Sequence, residues 1–379
     1  MRDPGARRRR HAAGHQPGRD MIDVLVVGGG PVGLAAAIHC TLAGLSVTVA
    51  EPRAGPVDKA CGEGIMPAAV RRLAAVGVTP DGHPLRGIRY LDAAHQADAP
   101  FLRGDGLGVR RTVLHAALAA RAAALGVPVI PARVTAFERY EGHVAAAGVE
   151  ARYLVAADGL HSTIRRVLDR ETPWQPGRGS RPSLPRYGLR RHYRVAPWTD
   201  LVEVHWASRA EAYVTPVSDD VVGIGLLFAR PARAGLHRDE RAGDDFAARL
   251  SSFPALRDRL SGTPPASEVR GAGPMRQRVR RRVHGRVLLV GDASGYVDAL
   301  TGEGIGVGLA QAEALARCLA AGRPADYERA WRRASGPAWR FTASLLWSRN
   351  QPFLGPRIVP AAQRFPWLFA ALVNHAAQA

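Results

Sequence analysis

The chain has 379 residues, 46% of them hydrophobic and 22% charged, which supports a large buried core in two interleaved lobes and excludes a disordered chain. Its formal net charge of +19 comes from 52 Lys and Arg against 33 Asp and Glu, but the arginines are scattered, which argues against a nucleic-acid footprint. Cys40, Cys61 and Cys318 are far apart and odd in number, so they fit reduced thiols in a cytoplasmic protein and form neither a disulfide framework nor a metal pattern.

Residues 1–20, with Arg7 to Arg10 in a Gly/Pro/His-rich stretch, read as a disordered leader, and Met21 as a natural start. The polar GHQPGRD separates those arginines from the apolar run that follows, which argues against an export signal. Ile22 to Val27 predicts a buried parallel strand, followed at once by Gly28-Gly29-Gly30-Pro31-Val32-Gly33, a helix over Leu34 to Leu42 and a second strand over Ser46 to Ala50. The glycines let the backbone turn tightly and approach a pyrophosphate resting on the helix N-terminus, while Gly33 lets helix and strand pack closely. Glu51, followed by Pro52 and Arg53, ends the second strand where a carboxylate meets the ribose hydroxyls of an adenosine.

Lys59 is the single lysine among the 52 Lys and Arg, two residues before Cys61 in DKACGEGIMP. Lysine is a compact charge with a shiftable pKa, whereas arginine stays charged, so Lys59 and Cys61 are candidate catalytic residues. The alternative is compositional drift towards arginine with one lysine left over. Gly87 to Arg103 and Tyr187 to Phe228 carry alternating patterns bounded by Gly, Pro and Asp, and predict a sheet in a second lobe. Trp206 and Tyr213 on it either pack in the core or touch substrate.

Tyr153 to Ala157 predicts a strand ending in the Asp158-Gly159 turn, continued by Ser162 and Arg165. Basic residues crowd between Arg276 and Arg286, just before an apolar strand over Arg286 to Val290 that leads into Gly291-Asp292-Ala293-Ser294-Gly295. A second glycine-led helix follows, with Gly302, Gly304 and Ile305 at its start. An aspartate at such a turn binds ribityl hydroxyls, and a helix start stabilises negative charge on a reduced flavin. Trp339 to Ala379 mixes apolar helix with Pro352, Pro356, Pro360 and Pro366 and reads as a helical cap. Its aromatic and leucine residues beside Arg357 and Arg364 either pack on the main body or touch a membrane surface or greasy substrate. No further run of about 18 apolar residues predicts a membrane-spanning helix.

The order GGGPVG, VAADGLHSTIRR, VLLVGDASGYVDALTGEGI resembles the FAD-dependent oxidoreductases of the p-hydroxybenzoate hydroxylase fold, including aromatic monooxygenases and the geranylgeranyl reductase relatives. The resemblance spans residues 21–335 and implies an α/β fold: a Rossmann-like FAD-binding domain (21–80, 104–175 and 270–335) interleaved with a mixed-sheet substrate domain (81–103 and 176–269), then a C-terminal helical cap (336–379). It implies that Arg111 is the arginine ahead of the second helix, with Leu114 and Leu118 accompanying and Arg110 competing. Asp158, Gly159, Ser162 and Arg165 fit DGxxSxxR, which in relatives supports FAD and the nicotinamide donor. DKACGEGI and TGEGI resemble the geranylgeranyl reductase branch. Glu211 to Pro216 lacks both the reductases' YxWxFP and the halogenases' WxWxIP, so halogenation is not expected.

The expected function is an NADH- or NADPH-dependent monooxygenase, hydroxylating or epoxidising an apolar or aromatic small molecule, with no metal, no nucleic-acid partner and no covalent catalyst. The rival is a flavin-dependent alkene reductase acting on an isoprenoid or lipid, in which Cys61 or Tyr213 acts as general acid. In that rival Lys59 conflicts with Cys61, because a nearby cation favours the thiolate. A non-enzymatic basic flavoprotein ranks third.

Overall fold

The computed structural model describes residues 21–171, 184–229 and 242–378, so the leader lies outside the described residues. The strand Ile22–Val27 is central in a parallel layer, flanked by Val47–Ala50 on one side and Val149–Ala156 on the other. Val129–Ile130 extends the layer beyond Val47–Ala50, and Val287–Leu289 extends it beyond Val149–Ala156. Val24, Leu25 and Val26 have no exposed surface, as expected of a parallel strand covered on both faces.

The first helix is Pro31–Leu42, three residues longer at its start than the apolar run suggests. Proline is well placed there, because the missing N–H belongs to a position with no intrahelical partner. That helix packs on Gly304–Ala320, and Val32 seats in a notch made by two glycines: a Cβ on Gly308 would lie 2.4 Å from Val32 Cγ2, and one on Gly291 would lie 3.1 Å from Cγ1. Three sequence-distant elements thereby meet at one point.

The second layer is a seven-stranded sheet in the order Arg270–Ala272, Arg186–Arg194, Val221–Ala229, Ala210–Ser218, Leu201–Trp206, Gly87–Leu91 and Gln96–Pro100. It is antiparallel except where Leu201–Trp206 runs parallel to Gly87–Leu91. Gly64–Ile65, Gly106–Gly108 and His83–Leu85 make a small sheet beside it. Helix Tyr327–Arg349 runs straight across the expected boundary at residue 336 and carries Pro337 inside it. The last helix, Pro366–Ala376, buries Phe369, Val373 and Ala376. No described helix is long and apolar enough to cross a membrane.

Candidate active site

The cleft begins at the end of the central strand. Gly28 has φ +105°, and a Cβ there would sit 2.6 Å from the Ala157 carbonyl oxygen; on Gly33 it would sit 1.9 Å from the Gly28 carbonyl oxygen. Neither position tolerates a side chain, so the bare backbone turn is enforced by contact as well as by torsion. Gly30 is open, with only the Arg111 guanidinium within 4 Å of its Cβ position, at 3.8 Å. Pro31 and Val32 begin the helix at this turn.

Glu51 is buried. Its Oε2 accepts from Gly29 N–H at 2.9 Å, its Oε1 accepts from Arg53 N–H at 3.0 Å, and the Arg53 side chain closes on both oxygens at 2.7 and 2.8 Å. Burial opposes ionisation, but these bonds hold the carboxyl below its ordinary range. Pro52 lies exposed between the two. Arg111 is the first residue of helix Arg111–Ala124 rather than a residue ahead of it, and Arg110 is its N-cap. Both leave a buried Nε without a partner. Leu114 and Leu118 point into the core.

Asp158 and Gly159 stand at the next strand end. Asp158 Oδ2 caps helix Thr163–Glu171 by accepting from Thr163 N–H at 2.7 Å, which leaves Oδ1 buried and unpartnered. Ser162 and Arg165 turn inward. Ser162 Oγ accepts from Arg165 N–H, while the Arg165 guanidinium donates to the carbonyls of Leu160, Asp292 and Ala293. In this chain the pair clamps the Asp158 turn to the 3-10 turn Gly291–Ser294. Burial raises the Asp292 carboxyl, opposed by Arg111, Lys59 and Arg165.

Lys59 reaches this convergence. Its Nζ lies 3.6 Å from the Cβ position of Gly159, and its charge is felt at Asp292. The side chain is solvent-accessible but walled by protein; that desolvation first, then Arg53 and Arg111, holds the ammonium below its ordinary pKa. Cys61 is half-buried, and its Sγ accepts from Glu63 N–H at 3.4 Å. The loop is anchored beneath by charges: Asp58 pairs with Arg190 and Arg270, and Glu63 with His192.

The loop from Leu300 to Gly304 closes the other side. Tyr213 donates its hydroxyl to the Leu300 carbonyl at 2.8 Å, which commits that proton to holding the loop. Gly302 has φ +70° and faces Met66, and Gly304 and Ile305 open the helix. Glu303 is 6% exposed, with Oε2 accepting from Thr301 at 2.8 Å and Oε1 without a partner. Burial raises its carboxyl to about 7, although a helix N-terminus favours the anion; desolvation wins. A cavity of about 30 Å³, lined by Glu303, Tyr296, Asp292 and Thr342 among others, has room for about one water. Tyr296 and Tyr90 both feel the Glu303 charge, and Tyr90 packs on Trp206 and Phe369 at ring distances of 5.2 and 4.7 Å.

Glu303, Tyr296 and Tyr90 were not among the expected site residues. GEGI displays the glutamate, but its burial depends on distant parts of the chain, among them helix Tyr327–Arg349, which reaches it through Thr342. The residues present fit FAD: a backbone cradle that a Cβ would fill at Gly28 and Gly33, an acid closing on Gly29, and an orphaned buried Asp158 Oδ1 and Arg111 Nε facing the same cleft. Among the described residues no cluster suited to a metal ion occurs.

Comparison with known proteins agrees with this assembly. Residues 130–323 match the FAD binding domain family, and residues 23–103 match a second family of the same description. The menaquinone reductase of Mycolicibacterium smegmatis is 29% identical over 345 residues, covering 82% of this chain and 79% of that protein. The digeranylgeranylglycerophospholipid reductase 1 of Methanothermobacter thermautotrophicus is 27% identical over 309 residues, covering 75% and 73%. The crystal structure of a probable FAD-dependent monooxygenase from Pseudomonas aeruginosa superposes with TM-score 0.71 at 22% identity, over 92% of this chain and 100% of that one, which is a likeness of fold.

Proposed function

Belonging to the FAD binding domain family, the chain is an FAD-dependent oxidoreductase, and we propose that it reduces a carbon–carbon double bond in an apolar, isoprenoid-type substrate. The observation that carries this reading is Glu303, a carboxyl buried at the N-cap of helix Gly304–Ala320 with Oε1 unpartnered, which burial raises to about 7. Alkene reduction adds a hydride to one carbon and a proton to the other, so it needs a proton donor; oxygen insertion does not need one on the protein. When bound, FAD supplies the hydride, which it receives from NADH or NADPH.

The chain's own residues do the rest. Gly28, Gly30, Gly33, Glu51, Arg53 and Arg111 would hold the dinucleotide, with Asp158, Gly159, Gly291 and Asp292 at the neighbouring turns. Lys59 contributes positive charge beside Asp292. Thr301 and Thr342 keep Glu303 oriented, and the small cavity beside it offers a route for its reprotonation. Tyr213 fixes the loop rather than giving up its proton. Tyr90, Trp206 and Phe369 pack on one another in an apolar cluster behind Tyr213, which keeps this side of the loop dry. The likeness to reductases of a quinone and of a geranylgeranyl lipid supports the same substrate class. No nucleic-acid partner is proposed.

Oxygen insertion into an apolar or aromatic small molecule is the second reading, supported by the likeness of fold to a probable FAD-dependent monooxygenase. Supplying labelled dioxygen with a polyprenyl substrate and NAD(P)H separates the two. Saturated product formed without oxygen, and faster anaerobically, supports reduction; label in the product sinks it.

A further inference from the structure

Helix Pro366–Ala376 is apolar except for Asn374, which bonds to the Pro100 and Leu102 backbone, and the exposed His375, yet only one side is covered. Phe369, Val373 and Ala376 pack inward, while Trp367, Leu368 and Leu372 are exposed at 70%, 43% and 43%. A helix face with this many large apolar side chains is ordinarily covered. The exposure continues along the same C-terminal region with Trp347 at 60%, Phe353 at 66% and Phe365 at 48%, whereas singly scattered apolar residues are the norm on a soluble surface.

Charge identifies the cover. From Arg329 onward the sequence carries seven arginines and no Asp or Glu; Arg329, Arg332 and Arg349 pair with Asp326, Glu328 and Glu211, which leaves Arg333, Arg340, Arg357 and Arg364. The Arg357 guanidinium stacks over the Phe353 ring at 3.7 Å, Arg364 lies 5.7 Å from the Phe365 ring centre, and among the described residues no ion pair engages either arginine. Aromatic rings rimmed by arginines match the boundary between acyl chains and anionic headgroups, where the rings enter the apolar layer and the cations meet the headgroup charge. A second copy of this chain is the poorer occupant, because a two-fold contact through this face would bring Arg357 and Arg364 towards their own copies. A nucleic acid would satisfy the arginines and leave Trp367, Leu368 and Leu372 wet.

We propose that the C-terminal helical region is a docking face for an anionic lipid surface. The face needs neither flavin nor turnover to act, so this inference stands apart from the reductase reading. The test is cosedimentation of the full-length protein with vesicles of phosphatidylcholine alone or mixed with phosphatidylglycerol. The wild type binds the mixed vesicles, with emission of the exposed tryptophans shifting to the blue, and added salt weakens the binding. Trp367→Ser with Leu372→Ser, and separately Arg357→Glu with Arg364→Glu, each lower the affinity about tenfold or more while the melting temperature holds. Every variant keeps the arginine-rich leader, so binding that survives in both double variants overturns the proposal. Absence of binding to mixed vesicles overturns it as well, as does self-association that the Trp367→Ser change abolishes.

Discussion

Glu63 joins the two lobes through His192: its Oε2 lies 2.5 Å from His192 Nε2, while its Oε1 accepts from Arg111 N–H at 2.8 Å. Both side chains are almost fully buried, and Glu63 adopts a left-handed φ of +60° to reach them. Glu63→Ala strips His192 and the neighbouring Arg190 of a buried partner, and breaking such a pair from one side costs about 3–5 kcal/mol. Urea denaturation is the measure. A cycle with His192→Ala is expected to show a coupling of about 1–3 kcal/mol, and additive losses would mean that the two residues stabilise separate lobes.

The notch that receives Val32 makes a second prediction. Gly308→Ala gains about 1 kcal/mol of helix propensity. The new methyl, however, would lie 2.4 Å from Val32 Cγ2, and overpacking of that kind costs about 1–3 kcal/mol, so the net effect is a loss. Because Val32 belongs to the phosphate turn, FAD affinity falls with stability. Flavin titration and thermal melts should both move, and Val32→Ala placed on Gly308→Ala should restore part of each; restoration of stability alone would separate the notch from the cofactor site.

How much was legible in advance follows from whether the information is local. The strand, glycine turn and helix around Gly28 to Leu42 are short-range events, and the sequence expresses them in contiguous residues. Ser162 and Arg165 were visible as a motif, yet their inward clamp onto Asp292 and Ala293 spans 127 and 128 residues for Arg165 and is set by tertiary packing. The buried group Arg186, Glu211, Asp298 and Arg349 left no trace, because each member reads alone as an ordinary charge and only the fold removes water from all four. Glu303 was in plain sight in GEGI, where the glycines drew the reading and the carboxyl between them did not.

Lys59 is compositionally isolated, and the structure gives that isolation a test. Its ammonium stands beside Gly159 and Asp292 in the cleft, held below its ordinary pKa by desolvation and by Arg53 and Arg111. Lys59→Gln is expected to weaken FAD binding about tenfold, the worth of one charge-assisted hydrogen bond. Lys59→Arg keeps the charge but not the compact head, and restores affinity only in part. Unchanged flavin affinity in Lys59→Gln would return the residue to compositional accident.

Glu303 sets the pH dependence. Its carboxyl is raised from 4.5 to about 7 by burial, so between those values the folded chain holds a proton that the unfolded chain has released. Folding therefore binds a proton in that window, and stability falls as pH rises through it, by up to about 3 kcal/mol from this group. Glu303→Gln removes the charge that has to be buried, so it should flatten the slope and be more stable than wild type at pH 8. Melts across pH give that readout without substrate or cofactor. Wild-type turnover also declines as pH rises above 7 and the acid form is lost, but the substitution acts the opposite way on it: Glu303→Gln, which has no proton to give, should lose about 100-fold at all pH values. A flattened stability profile with full activity would leave Glu303 as a buried acid without a part in proton transfer, and would remove the main support for alkene reduction.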